Sequence, residues 1–419
     1  MLKIIFKKCA GIDVHSTQIT VCTAITDDND ITSYEIKIFP TFTEDLIKCR
    51  DWLFSNNILD VCMESTGKYW IPVYNILEEN LHCIITHPKY TRTILGKKTD
   101  KKDAKWIADM FKHGLVEPSF MPPKDIRELR DLMRYRFKLV NIRSGEKNRF
   151  QNSLTVSNVQ MANVVTDVFG KTSQSILKLM LENPNIGIND IKPLIRKNIK
   201  ATPEEICKAI DGSFSDSQSS KISVVLKHFE DINNCIDTLE KSILELAIKY
   251  TTEINRILTI PGFNEISAIF IIAEIGTDMN AFHSASHLTS WAGLVPRCNE
   301  SNNKKKSVKI TKAGIYIKPL LIQCALCAIK DKSCPYFKVK YETIKRGRGH
   351  KVAIIAIARI LLIIIYKLLL TGEVFDYDKI DNLMNKNFKH KKSTKDTPEE
   401  MISYLSSLGY NISLPETNS

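Results

Sequence analysis

A chain of 419 residues, 43% hydrophobic and 25% charged, has room for two or three domains with buried cores, which excludes a disordered or membrane-embedded polypeptide. Its formal net charge of +12 is gathered into knots of lysine and arginine, which points to nucleic acid ahead of an anionic membrane surface. The 11 cysteines have no repeated spacing and MLKIIFKKCAGIDV lacks the apolar run of a signal peptide, so free thiols in a reducing cytoplasm are expected.

From the amino terminus, residues 9–26 alternate and are rich in β-formers on both sides of Asp13. Polar Asp27 to Asp30 make a turn, and Ile31 to Phe39 give another strand. Thr41 or Thr43 is placed to cap a helix running through Trp52. Leu59 to Met63 is a short apolar strand ending at Glu64, followed by a helix from Trp70 to Glu79 and a strand from His82 to Thr86, closed by Pro88. Lys101 to Lys112 has helical periodicity. Three strands, helix, strand, helix, strand, helix is the succession an RNase H-like (RuvC-like) α/β domain requires, here over residues 1–120.

Beyond Pro122-Pro123 the pattern turns helical, and 121–252 is expected as a helical, coiled-coil region. Ile126, Leu129, Met133, Phe137 and Val140 make an apolar stripe, with Arg127, Arg130, Arg134, Arg143 and Lys147 on other faces. Residues 155–219 read as interrupted helix, with turn signals at Asn183-Pro184-Asn185 and a polar run from Ser213 to Ser220. Val225, Phe229, Ile232, Ile236, Leu239, Ile243 and Leu246 alternate spacings of four and three. Such a seam serves either a coiled coil or a helix packed on its own chain.

A mainly helical third domain is expected over 253–374. Thr259-Ile260-Pro261-Gly262-Phe263 before the apolar helix Ile266 to Ile275 resembles one helix-hairpin-helix unit, whose backbone amides can meet DNA phosphates. Apolar helices at Lys318–Lys330 and His350–Leu370 supply a core. The greasiest stretch, Ala353 to Leu370, is short for a membrane span and is broken by Arg359 and Lys367, so a buried helix is expected. Cys324, Cys327 and Cys334 lack a second CxxC or a histidine cluster and read as core cysteines rather than zinc ligands. The tail 375–419 is polar, with a terminal helix expected near Glu399 to Leu408.

The chemistry is carried by acids. Asp13 lies on the first strand, Glu64 ends a later one, and Asp100 and Asp103 stand one helical turn apart on one face. At one edge of a sheet these carboxylates would repel one another unless cations neutralised them, and oxygen-only donors select Mg²⁺, with Mn²⁺ as a substitute. Two ions roughly 3.5–4 Å apart would stabilise the attacking and leaving oxygens of a phosphoryl transfer. The bland alternative is a set of solvated surface acids. Ser301 stands in NESNNKKKS, ahead of Lys304, Lys305, Lys306, Ser307, Lys309 and Lys312. An unactivated serine is a poor nucleophile, so on residue chemistry alone this is a basic phosphate-binding loop. Lys97, Lys98, Lys101, Lys102 and Lys105 surround the aspartate pair, and Arg346, Arg348 and Lys351 form a third basic knot.

Taken in order, GIDVH, CMESTGKYWIPVYNILEE, KKTDKKDAKWIADMF, RELRDLMRYRFKLV, TDVFGKTSQSIL, LTIPGFNEISAIFIIAEIG, FHSASHLTSWAGLVPRCNES and KITKAG resemble the DEDD transposases of bridge-RNA-guided insertion sequences, over about residues 9–375. The resemblance implies a RuvC-like domain, a coiled coil and a serine-bearing transposase domain in a prokaryotic, nucleoid-associated enzyme. It implies that Asp13, Glu64, Asp100 and Asp103 bind Mg²⁺ and that Ser301 attacks DNA to give a phosphoserine link. Further implications are donor and target DNA as partners and a bridge RNA that reads sequence by base pairing. A dimer or tetramer is also implied, with active sites composed across protomers. Asn302 stands where the family commonly has Gly, and Ile317-Lys318 where it usually has Leu-Arg, so Lys318 keeps the charge without a bidentate phosphate grip. Two alternatives follow from the same residues: a Mg²⁺-dependent, structure-selective endonuclease of the Holliday-junction resolvase type, and a basic RNA- or DNA-binding protein without catalysis.

Overall fold

The computed structural model describes residues 2–65, 67–91, 99–183, 186–197, 199–296, 300–301, 304–305 and 309–377. Among the sequence expectations, Lys97, Lys98, Asn302, Lys306, Ser307, the Pro184-Asn185 part of a turn and the tail from residue 378 lie outside the described residues. Contacts divide the chain into two units, Met1–Lys124 and Asp125–Ser419.

In the first unit, the alternating start folds into an antiparallel meander of β1 (Lys8–Val14), β2 (Gln18–Thr26) and β3 (Thr32–Pro40). The helix α1 (Thr43–Ser55) leads to β4 (Asp60–Glu64), which pairs parallel with β1, and α2 (Trp70–Leu77) leads to β5 (His82–Thr86), parallel to β4. The sheet order is therefore β3-β2-β1-β4-β5, as an RNase H-like domain requires. A short helix α3 (Pro88–Thr91) precedes α4 (Asp100–Lys112).

The sheet is covered on both faces. Leu46, Cys49 and Leu53 of α1 and Val73, Tyr74 and Leu77 of α2 pack with Ala10, Ile12, Val14, Val61 and Met63 on one side. Ala104, Ile107, Ala108 and Phe111 of α4 pack with Cys9, Cys22, Ala24 and Cys62 on the other. Neither threonine caps α1: its N-cap is Phe42, without a side-chain bond, and the Thr41 hydroxyl donates to the Ser16 carbonyl at 2.9 Å. Thr41 is thus drawn back to the β1–β2 turn.

The second unit is built on two long helices, α5 (Lys124–Val156) and α9 (Asp216–Ala247). Between them lie α6 (Lys171–Glu182), α7 (Ile188–Ile191) and α8 (Pro203–Ala209), gathered around Phe150, Leu154, Met161, Ile176, Ile206 and Val225. Arg136 bonds Glu240 at 2.7 Å and Arg143 bonds Asn233 at 3.1 Å, while His228 pairs with Glu146 at 3.0 Å. Partner numbers fall on α9 as they rise on α5, so the two helices run antiparallel. The seam packs on its own chain: Ile232 and Ile236 bury against Leu139, with Val140 and Leu239 beside them, and the Phe229 ring lies tilted against Phe169.

The arginines of α5 are not a solvated face. Arg134 makes two bonds to the buried Glu274 carboxylate, at 2.7 and 2.9 Å, and Arg130 donates to the Ala273 and Glu274 carbonyls at 2.8 and 2.9 Å. They cap the carbonyl end of α11 (Glu265–Ile275), which follows α10 (Thr251–Leu258). In the expected helix-hairpin-helix, Asn264 accepts from the Ser267 amide at 2.9 Å and donates its own amide to the Ser267 hydroxyl at 2.8 Å. Those two amides are therefore engaged within the cap rather than offered to phosphate, and Ser267 to Ile275 are buried throughout.

The core is completed by α12 (Ala285–Trp291), α13 (Ile317–Ala328), α14 (Pro335–Arg348) and α15 (His350–Thr371). By length and composition α15 is apolar enough to cross a membrane, but it buries Ala353, Ile357, Leu361, Leu362 and Ile365 and exposes Arg359 and Lys367, as a core helix does. The described cysteines are free; Cys324 and Cys334 are core residues, whereas Cys327 is exposed beside the buried stripe of α13.

Candidate metal centre and serine loop

The β1–β4 register places the first acids. Ile12 pairs with Met63, so Asp13 and Glu64 follow at matched positions at the ends of neighbouring parallel strands. Cys9 and Cys62 face α4, and side chains alternate with a period of two, so Asp13 and Glu64 project on the α4 side. The helix arrives with its amino terminus at this edge: Thr99 caps α4, accepting from the Lys102 amide at 3.4 Å, and Asp100 and Asp103 occupy its first turn.

This approach depends on Gly11. A Cβ there would lie 2.2 Å from the Ala108 nitrogen and 2.4 Å from the Ala104 carbonyl oxygen, so α4 seats directly on the β1 backbone. The far end of α4 is held by nearly buried Lys112, whose Nζ donates to the Tyr34 hydroxyl at 2.9 Å and the Thr32 hydroxyl at 3.2 Å.

His15, unassigned from sequence, joins the acids. Its Nε2 lies 3.2 Å from Asp13 Oδ2 and 3.4 Å from Asp100 Oδ1. One donor atom from each of Asp13, His15 and Asp100 falls within 4.8 Å of the others. The signal was present in GIDVH, where the residue directly after a strand end turns back over the acid two places earlier. The Asp13 carboxyl is held above the ordinary carboxylate value, chiefly by burial and further by the charges of Asp103 and Asp100, against the pull of His15. A divalent cation fits this set, because it relieves both the burial and the like charge that oppose an ionised Asp13. The donors close enough to hold it here are Asp13, His15 and Asp100, and the chemistry it would supply is Lewis-acid stabilisation of phosphate oxygens. Lys101, Lys102 and Lys105 are exposed on α4, and Lys105 lies over the Tyr34 ring at 4.2 Å.

In the second unit, Ser301 lies in a two-stranded hairpin of β6 (Glu300–Ser301) and β7 (Lys304–Lys305), in which Ser301 pairs with Lys304. The base of this loop is clamped. Pro296 bridges Ile310, and the turns at Gly293 and Gly314, both with positive φ, press together so closely that a Cβ on either would meet the other's neighbour at 2.4 and 2.1 Å. Lys318 serves this clamp rather than an outward phosphate contact: its half-buried Nζ donates to the Thr311 carbonyl at 2.7 Å, and burial lowers its pKa. Lys309 and Lys312 are exposed, and Arg346 and Arg348 are exposed in the last turn of α14, where cations also favour the helix dipole.

Residues 10–158 match a family model for transposases of the DEDD IS110 type, and residues 254–342 match a model for the transposase IS116/IS110/IS902 family. The chain is 24% identical over 291 residues to the transposase for insertion sequence element IS1111A of Coxiella burnetii, covering 67% of this chain and 69% of that one. It is 28% identical over 172 residues to the pilin gene-inverting protein of Moraxella bovis, covering 38% and 52%. It is also 31% identical over 121 residues to the uncharacterized 42 kDa protein of insertion element IS900 of Mycobacterium paratuberculosis, covering 28% and 30%. The chain belongs to the IS110 family of DEDD transposases, enzymes that act on DNA.

Proposed function

We propose that the chain moves or inverts DNA by cutting and rejoining it through Ser301, with Asp13, Glu64, Asp100 and Asp103 binding Mg²⁺ at the site of strand transfer. The observation that carries the reading is the matched placement of Asp13 and Glu64 on adjacent strands facing the aspartates of α4. In the step proposed for Ser301, its oxygen forms a bond to the scissile phosphorus as the bond to a deoxyribose oxygen breaks. The proton the serine gives up is matched by the one the leaving oxygen takes. The phosphoserine ester conserves the bond energy, so rejoining is the same exchange in reverse and requires no nucleotide cofactor. In the same proposal Lys304 and Lys305, which follow Ser301 in NESNNKKKS, would supply positive charge to the pentavalent phosphorus.

Guidance by a bridge RNA and assembly into a dimer or tetramer belong to the same proposal, supported by the net charge of +12 and by the resemblance of the whole motif series. The test is a strand-exchange assay with covalent adduct trapping on wild type, Ser301→Ala and Asp13→Ala, with and without RNA transcribed from the flanking element. Wild type is expected to form an adduct and both variants none; an adduct that survives Ser301→Ala removes the serine from the mechanism. A second reading, metal-dependent cleavage by water, draws on the fact that all four acids lie in the first unit. It predicts cut DNA without adduct and indifference to Ser301→Ala.

A further inference from the structure

We infer that His15 is a ligand of the cation at Asp13 and Asp100, making that position a mixed oxygen–nitrogen site that takes Mn²⁺ in preference to Mg²⁺. The inference rests on the proposed carboxylate centre and extends it to a residue outside the four acids. Around an octahedral ion with bonds of about 2.0–2.1 Å, neighbouring donors stand about 3 Å apart. His15 Nε2 stands 3.2 Å from one Asp13 oxygen and 3.4 Å from one Asp100 oxygen, so the imidazole already has the spacing of an adjacent ligand.

Position and chemistry agree. Val14, paired with Ile19, ends the pairing of β1 with β2, and His15 follows the strand directly, its amide donating to the Gln18 carbonyl at 3.0 Å. That turn fixes the backbone from which the ring reaches back over Asp13. The ring is half-exposed, as is Asp100, while Asp13 is mostly covered, so two of the three donors stay accessible to an ion that keeps its remaining waters. An ordinary histidine–aspartate pair needs only one carboxylate; here a single nitrogen addresses two, from separate elements of the fold. Mg²⁺ binds oxygen and loses water reluctantly, whereas a softer transition-metal ion accepts imidazole without that cost.

The experiment uses the full chain and MnCl₂. Binding is followed by loss of the free Mn²⁺ electron paramagnetic resonance signal, with Mg²⁺ as competitor, and the bound ion is examined by electron spin-echo modulation. Wild type is expected to show coupling to a ¹⁴N nucleus that becomes ¹⁵N coupling when only histidine is ¹⁵N-labelled, a readout that needs no variant. His15→Ala is expected to lose the coupling, weaken Mn²⁺ on the order of tenfold and leave Mg²⁺ less affected, so the preference narrows. Asp13→Ala is expected to abolish binding of both ions. Bound Mn²⁺ without histidine coupling, but lost in Asp13→Ala, overturns the role of His15 and leaves the acidic centre standing. Wild-type protein that binds neither ion overturns the centre itself, and the inference with it.

Discussion

Gly11→Ala is the sharpest perturbation available, because it alters no charged group and yet acts on the whole acidic centre. The added methyl would sit 2.2 Å from the Ala108 nitrogen, 2.4 Å from the Ala104 oxygen and 2.9 Å from the Ala108 Cα. All three are backbone atoms of α4, so no rotamer change can relieve the contact. Ordinary carbon contacts begin near 3.5 Å, so the helix must retreat by roughly 1 Å. Overpacking of this kind costs about 1–3 kcal/mol, and the upper end applies when neither side can yield. With urea slopes of about 1–3 kcal/mol per molar, the unfolding midpoint should fall by on the order of 1 M. Asp100 and Asp103 ride on the same helix, and a misplacement of about 1 Å can cost on the order of a hundredfold in a positioned site. Urea unfolding and calorimetric Mg²⁺ titration of the same preparation therefore should both suffer. Cys9→Ala, on the same face of β1 and also buried, removes volume instead of adding it and should lower the midpoint while sparing Mg²⁺ affinity. A Gly11→Ala protein with wild-type midpoint and wild-type affinity would refute the claim that α4 is positioned by contact with the β1 backbone.

The other predictions concern separate parts of the molecule. Arg134→Ala leaves the buried Glu274 carboxylate without its bidentate partner and should cost about 3–5 kcal/mol in chemical denaturation, most of it recovered by Arg134→Met with Glu274→Leu. Lys318→Ala should lower the thermal midpoint yet leave the salt dependence of DNA binding unchanged, whereas Lys312→Ala should leave the midpoint unchanged and reduce the salt slope by about one if Lys312 meets a phosphate. Asp13→Asn should raise the stability of metal-free protein, since burial and two neighbouring charges oppose its ionisation. It should also lose the roughly 2.7 kcal/mol that wild type gains from Mg²⁺ at a hundred times its dissociation constant, both readable by urea titration with and without the ion.

The sheet was legible because its order is written in local patterns: alternation for the meander, short apolar runs for β4 and β5, and a helical period for α4. The acids were legible for the same reason, since strand ends and a spacing of three are local properties. What escaped were partners distant in sequence. The sequence assigns the arginines of α5 only to faces other than the apolar stripe, because their acceptors on α11 come some 140 positions later. The seam on α9 fits a coiled coil or a neighbour of its own chain equally well, and only the antiparallel pairings with α5 decide. Lys318 read as a phosphate contact because its acceptor is a backbone carbonyl, which carries no signature in the sequence. The capping of α1 failed on a competition: Thr41 satisfies its hydroxyl at Ser16. His15 escaped because histidine beside an acid is common, and its second neighbour is brought by a separate element.

The four acids do not carry equal burdens, and the difference bears on what a cation must do. Asp100 and Asp103 sit in the first turn of α4, behind the Thr99 cap, where unsatisfied amides and the helix dipole favour negative charge by about 0.3–1 kcal/mol each. Asp100 is also half-exposed and keeps much of its hydration. Asp13 has neither advantage: it is mostly covered, it lies on a strand, and the same two aspartates raise its pKa. The fold therefore stabilises the helical pair by itself and leaves the strand carboxylate to be stabilised by something positive. Among the described residues His15 reaches Asp13 and Asp100 together and pulls against the rise in the Asp13 pKa. A divalent ion arriving at the same edge answers the same deficit more strongly, which is why its affinity should depend most steeply on Asp13 although the helix supplies two of the four acids.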